Sequence, residues 1–182
     1  MLLAKSKPVL VALANLFATE KPVKKYVALV RGVPVNQKFE IDAPIGPHPS
    51  RLGEMRVTRE GHDGKRARTQ FEIRESFRDC ALLSCQPLTG RTHQIRVHLR
   101  HARHPIFGDS VYGGRPLLLS QLKHDYRLKP RAVERPLIAR TALHAEELIL
   151  PHPMSGTEVA IVAPWPKELS VAVKYLRKYG AR

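Results

Sequence analysis

Acidic residues are scarce in this chain. Its 182 residues hold 16 Asp and Glu against 31 Lys and Arg, a formal charge of +15 and a pI near 10.3. Such an excess favours a polyanionic partner, because neutralising phosphates gives affinity without any choice of sequence. Cysteine is nearly missing too. Two residues, Cys80 and Cys85, are too few for a disulfide-stapled secreted scaffold and fit a reducing, cytoplasmic setting. No apolar run approaches the roughly 18 residues that a membrane-spanning helix needs, so a membrane partner is not expected. The opening Met1-Leu2-Leu3-Ala4-Lys5 is too short an apolar patch for a signal peptide. Internal repeats and low-complexity segments are absent. The length suits one domain over residues 1–182 with a real core.

What the chain does hold is concentrated between Leu88 and Gly114. From Arg91 to His104 there are four arginines and four histidines in fourteen residues, with no Gly or Pro. Gly90 opens that run and Pro105 closes it, which predicts a helix of about three to four turns. On such a helix Ile95, Leu99 and Ala102 form an apolar stripe. Arg96, Arg100 and Arg103 form a column beside it, and His93, Val97, His101 and His104 make another face. As a strand, the same residues would mix Arg91 and His93 into the buried face. A guanidinium column is either a solvated basic surface or a phosphate-facing one. Arg offers the planar fork of donors that phosphate and carboxylate oxygens match, and Gly90 allows a close backbone approach at the helix entrance.

Along the rest of the chain, Met1–Ala4 reads as the tail of an apolar strand. Ser6 can cap a helix whose face is Val9, Leu13, Leu16 and Phe17, and Thr19–Pro22 is a turn. Lys24–Val30 is a buried strand stopped at Gly32-Val33-Pro34. Phe39 and Ile41 alternate with charges over 37–42, a half-buried strand. Residues 44–53 read as a Pro/Gly-rich loop exposing His48, Ser50 and Arg51. Met55–Arg59 and Ala67–Ser76 are expected to pair across a turn at 60–64, and Cys80–Gln86 adds a further strand to this meander. Arg115–Pro136 reads as a basic surface insertion with a short helix over Leu117–Tyr126. Strands are expected over Leu137–Leu150 and Glu158–Val162. Pro166 starts a last helix with the stripe Leu169, Val173 and Leu176 and with Lys174, Arg177 and Lys178 outward. The expected class is α+β, a mixed and mainly antiparallel sheet flanked by helices.

The wording of the central stretch is more specific than its physics. Thr89-Gly90-Arg91-Thr92-His93-Gln94-Ile95-Arg96-Val97-His98-Leu99, followed by His104-Pro105-Ile106 and Gly108-Asp109 through Tyr112-Gly113, closely resembles the late signature motif of RluA-type RNA pseudouridine synthases. Lys24-Lys25-Tyr26 with Ala28 and Val30 resembles a second family motif, whose Tyr lines a uridine pocket; without that context a core tyrosine is the commoner fate. The hairpin from Ala142 to Pro153 resembles the family's late hairpin. The likeness runs from Met1 to about Tyr179.

This resemblance implies isomerisation of uridine to pseudouridine in ribosomal or transfer RNA, by a monomer without organic cofactor or metal. The N1–C1′ bond breaks and the sugar rejoins the base at C5, so the target must be unpaired or flipped out. In the family an ionised Asp works at the sugar, and an Arg lowers its pKa and fixes it. The resemblance gives that Arg as Arg96, and Tyr26 as the residue packing against the base. Arg91, His93, Gln94, Arg100 and Arg103 are expected to hold RNA phosphates or shape the pocket. The family's His-Arg-Leu-Asp-x-x-Thr-Ser-Gly motif, which carries the Asp, is not found here, and none of the five aspartates sits in a comparable setting. In the family that motif stands just ahead of a Leu-Leu-Leu-Ala-Lys stretch, and this sequence begins within that stretch, at Met1-Leu2-Leu3-Ala4-Lys5. A truncated enzyme lacking its nucleophile is therefore expected, with an unpaired edge near Met1–Lys5. Asp109 is expected to cap backbone in its loop. The alternative is a non-catalytic RNA-binding module of the same fold. A metal site from His98, His101, Cys80 and Cys85 fits no standard spacing, and the nearby arginines would repel a cation.

Overall fold

The computed structural model describes residues 2–19, 22–59, 63–129 and 131–180. In chain order the elements are α1 (Lys7–Ala18), β1 (Val23–Arg31), β2 (Lys38–Asp42), β3 (Ile45–Pro47), β4 (Met55–Val57), β5 (Arg68–Ser76), β6 (Cys80–Pro87), α2 (Gln94–His101), β7 (Leu143–Pro151), β8 (Glu158–Val162) and α3 (Lys167–Tyr179). Six strands lie side by side in the order β2-β5-β6-β1-β7-β8, with every neighbouring pair antiparallel. This is the α+β architecture expected from the sequence, with no parallel pair among the described strands.

The middle of the sheet explains why the apolar runs are continuous there and alternate elsewhere. Val27, Ala28, Leu29 and Val30 expose no surface, and neither do Ala81, Leu82 and Leu83 opposite them on β6. Four consecutive buried residues require cover on both faces of a strand. At the β2 edge the pattern alternates: Phe39 and Ile41 turn inward, and Phe39 stacks on its cross-strand partner Phe71 at 4.9 Å. α3 buries Leu169, Ala172, Val173 and Leu176 at helical spacing. Its outward Arg177 grips Glu75 of β5 through two hydrogen bonds of 2.8 and 2.5 Å.

Several expectations are corrected. β4 pairs with β3, Ile45–Pro47, and not with β5, which lies between β2 and β6. Three-residue strands carry no period to read, and Ile45 also bridges Lys65. The turn at 60–62 lies outside the described residues. Residues 45–47 are therefore strand rather than loop, and His48 is half-buried. Leu117–Tyr126 forms only a single 3₁₀ turn over Leu119–Gln121, because Leu117 is drawn into the core and Ser120 N–H is held by Glu134. β7 starts at Leu143, since Ala142 and Leu137 are tied to Leu29, Phe107 and Leu117 by backbone bonds outside a ladder. Leu2–Ala4 is not a strand. In α1 Ser6 makes no side-chain cap and only Leu13 is buried, with Phe17 left exposed.

Candidate functional site

The motif helix is shorter and more deeply set than its sequence suggests. α2 makes about two turns, and both ends are fixed by side-chain or backbone bonds. At its entrance Gln94 Oε1 accepts from Thr89 Oγ1 at 2.7 Å and from Arg91 N–H at 3.0 Å. Its Nε2 donates to Arg68 O and Thr69 Oγ1, both at 2.9 Å. Every polar site of this buried amide is engaged, so Arg91 and Thr92 are held in a turn and His93 takes a left-handed conformation, φ 56°. At its exit His104 N–H bonds Leu99 O at 2.8 Å and Arg103 N–H bonds Arg100 O at 3.0 Å. These two bonds make a Schellman closure, in which the left-handed position belongs by preference to glycine. Here Arg103 occupies it, at φ 64°.

The helix is wedged between two apolar groups. Ile95 and Leu99 enter the main core, while Val97 packs with Ile45, Ala67 and Tyr112. His98 is fully buried: Nδ1 meets Thr69 Oγ1 at 2.9 Å and Nε2 meets Ala43 O at 3.0 Å. Burial pushes its pKa down, more than the Ala43 carbonyl raises it. Both ring nitrogens are committed. The two thiols are buried and free, and burial pushes that of Cys80 up to about 12 and that of Cys85 further still. Among the described residues no group of three or more His, Cys, Asp or Glu could hold a metal ion.

Arg96 is turned inward, not ranked in a solvent-facing column. Its Nε and Nη2 donate to Asp109 Oδ2 and Oδ1 at 2.7 and 2.8 Å, a bidentate pair, and the guanidinium lies 4.6 Å from the centre of the Tyr112 ring. The Asp109 side chain is 1% exposed and that of Arg96 19%. The Asp109 hydrogen bonds raise the pKa of Arg96, keeping it charged. Asp109 also caps the following 3₁₀ turn by accepting from Tyr112 N–H at 3.3 Å. Its loop is clamped by glycines: a side chain at Gly108 would strike the Arg140 carbonyl, and one at Gly114 the Ile106 carbonyl. Tyr112 Oη accepts from Met55 N–H at 3.0 Å, which leaves its own proton for Nδ1 of His93 at 2.7 Å. Burial first, and then the charge of Arg96, hold the His93 pKa down, so the ring receives that proton as a neutral base. Nη1 of Arg96 and Nε2 of His93 are the side-chain nitrogens of the cluster left without a partner among the described residues.

Tyr26 stands elsewhere. It lies half-buried on β1 beside a bulge in the pairing with β7, and burial raises its pKa. It lines a cavity of about 230 Å³ with Lys24, Phe17 and Glu147. Lys24 Nζ reaches 5.6 Å from the Phe17 ring and lies beside Gly90, at the entrance to the motif. Arg100, exposed, and Arg103 line a separate concavity of about 930 Å³ with Arg31, Arg78 and Arg115, and Tyr112 forms part of its wall. Arg96 lines neither the Tyr26 cavity nor this concavity.

The structure thus gathers Arg96 and His93 in one cluster and sets Arg100 and Arg103 in the groove behind it. Arg91 is half-buried, its Nε donating to Arg66 O at 2.9 Å. Gln94, expected among the RNA contacts, is buried and positions the helix entrance instead. Sequence reasoning missed Tyr112 and Lys24, and it read Asp109 as a cap without its partner. A signal was present, for Asp109 is the sole carboxylate between Leu88 and Gly114. A buried arginine there had no other counter-charge nearby in sequence.

Among the described residues no helix is long and apolar enough to cross a membrane. The sequence model of a family described as RNA pseudouridylate synthase matches residues 1–101. An uncharacterized RNA pseudouridine synthase of Mycobacterium bovis is 37% identical over 180 residues, 99% of this chain and 53% of the relative. The ribosomal large subunit pseudouridine synthase D of Xanthomonas campestris is 36% identical over 188 residues, covering 100% and 52%. The chain thus spans about half the length of these curated relatives. Among solved structures, human RNA pseudouridylate synthase domain containing 4 superposes with a TM-score of 0.69 at 29% identity, covering 94% of this chain and 69% of that one. The motif that builds the Arg96 cluster and the match over more than half of the sequence agree: the chain belongs to the RluA-type RNA pseudouridine synthase family.

Proposed function

We propose that this chain supplies the uridine-holding and RNA-binding part of a cytoplasmic, monomeric pseudouridine synthase acting on ribosomal or transfer RNA. One observation carries the reading. The family motif folds into a pre-paired cluster in which Asp109 and the Tyr112 ring fix the Arg96 guanidinium, while Nη1 stays free to bond. A fork held on two sides costs little further ordering when it engages a third group, such as the carboxylate that works at the sugar. In the reaction the N1–C1′ bond breaks, C5 bonds to C1′, C5 loses its proton and N1 gains one. Tyr26 packs against the base, and its raised pKa keeps the phenol protonated at neutral pH. None of the five aspartates in residues 1–182 stands in the family's Asp motif, so the nucleophile of this reading belongs to a segment bearing His-Arg-Leu-Asp-x-x-Thr-Ser-Gly.

The test is nucleoside chromatography of ribosomal and transfer RNA after incubation with the chain alone and with that segment restored. Pseudouridine should form only with the segment. In the restored protein Arg96→Lys, which keeps the charge but loses the fork, should lower turnover at least about a hundredfold while RNA affinity changes little. Full turnover in that variant would remove Arg96 from the site. The excess of 31 Lys and Arg over 16 Asp and Glu also fits a second reading, a non-catalytic RNA-binding module, which would bind RNA and form no pseudouridine even with that segment joined.

A further inference from the structure

We propose that the concavity beside the Arg96 cluster is a second RNA contact, a track for the phosphodiester backbone built by Arg31, Arg78, Arg100, Arg103 and Arg115. The inference rests on the RNA-modifying reading and extends it from Arg100 and Arg103, already expected at RNA, to Arg31, Arg78 and Arg115, which no family motif names. Five guanidiniums and His104 line one space of about 930 Å³, and the single carboxylate on its wall is Asp79. None of the five arginines makes a salt bridge among the described residues, although Arg51, Arg68, Arg74, Arg140 and Arg177 each pair with a glutamate elsewhere. Acidic residues are scarce in this chain, and those in ion pairs with arginine lie outside this groove. Concentrated like charge without ion-pair partners among the described residues calls for an external anion. The planar forks suit phosphate oxygens two at a time.

The groove is also preorganised. Arg31 N–H bonds Pro105 O at 3.0 Å, Arg78 N–H bonds Gly180 O at 2.9 Å, and Gly32 N–H bonds Asp79 O at 2.7 Å, so the segments that carry the arginines are tied to one another. Arg103 is held in the left-handed position that closes α2, a conformation that glycine would take without strain, and it lines the groove from there. Tyr112 is shared: it lies on the groove wall and under the Arg96 guanidinium. A backbone lying in the groove therefore passes one ring's width from the catalytic cluster.

The test uses the chain as it is, with a single-stranded oligoribonucleotide of mixed sequence titrated at several salt concentrations. Arg31, Arg78 and Arg115 are exposed, so the triple variant Arg31→Gln, Arg78→Gln and Arg115→Gln should fold normally. A control removes the same charge from Lys38, Lys167 and Lys174, also exposed. The expected result is an affinity at least about tenfold weaker for the groove variant, with the control near wild type. The salt slope should become shallower by about two, at roughly 0.7 for each phosphate that is no longer neutralised. If wild type binds and the groove variant matches the control, the groove is not the track. If wild type binds no RNA, the RNA reading of the chain falls as well. Equal competition by polyglutamate would give the groove to an acidic protein and overturn the proposal.

Discussion

Arginine is used in two opposite ways within a few residues of α2. Arg96 is nearly enclosed, bound by two hydrogen bonds to a carboxylate with 1% exposure and laid against a buried ring. Arg103, seven positions on, and its neighbours Arg31, Arg78 and Arg115 are exposed and unpaired. The first kind of arginine is built into the fold, with two of its three nitrogens committed to Asp109 and only Nη1 left to bond. The second is charge left for something outside. Tyr112 separates the two, so the difference comes from the loop that follows the helix. Where Gly108 and Gly114 let the chain fold back, Asp109 is brought to Arg96; on the far side of the ring no carboxylate but Asp79 arrives.

Removing one partner is the strongest way to break this contrast. Arg96→Ala leaves Asp109 buried without its counter-charge and should cost about 3–5 kcal/mol, read as a fall in the urea midpoint at unchanged slope. Arg31→Ala, on exposed and unpaired surface, should stay within about 0.5 kcal/mol. The double variant Arg96→Ala with Asp109→Ala should lose less than the sum of the two single losses. Additive losses, or an Arg31→Ala cost equal to that of Arg96→Ala, would show that the pair does not hold the loop.

Little of this division was legible in the sequence, although much of the frame was. β1, β2, β5, β6, β8 and α3 lie within a residue or two of their expected places, because alternation, continuous apolar runs and the spacing of Leu169, Val173 and Leu176 report burial directly. α2 was overextended, since Gln94 and His98 count as polar in any periodicity, yet both are buried by fully satisfied hydrogen bonds. The β3–β4 pairing was missed for want of length. Arg96 and Arg103 share a helical face on paper. They part company because the helix stops at His101 and because Asp109 approaches one of them, and both facts are tertiary.

His98 sharpens the comparison through pH, as arginines do not titrate in the working range. Its pKa is lowered by burial, so on acidification the unfolded chain takes up the proton first, below about pH 6.5. Stability is therefore fully present above that pH and declines as pH falls toward the folded-state value. The slope reaches at most about 1.4 kcal/mol per pH unit for one proton. His98→Gln should flatten that limb, at some cost at neutral pH, while salt should move it little. An unchanged acid limb would mean that His98 is not the group protonated on unfolding.

The smallest effect has opposite signs for stability and for RNA binding. Arg103 is the one arginine of the groove whose own backbone opposes its identity, because the Schellman closure of α2 needs φ near 64° there. An L side chain pays about 1–2 kcal/mol for that conformation, and glycine gives part of it back through its freer unfolded chain. Arg103→Gly should therefore stabilise the protein by about 0.5–1 kcal/mol while weakening RNA binding several-fold and lowering the salt slope by about 0.7. Thermal unfolding and an RNA titration on the same preparation check both signs. A gain in stability with RNA binding untouched would make the strained turn a plain helix stop. Loss of both would mean that the Arg103 side chain supports the fold, and the separation between committed and free arginines would then run elsewhere than through Tyr112.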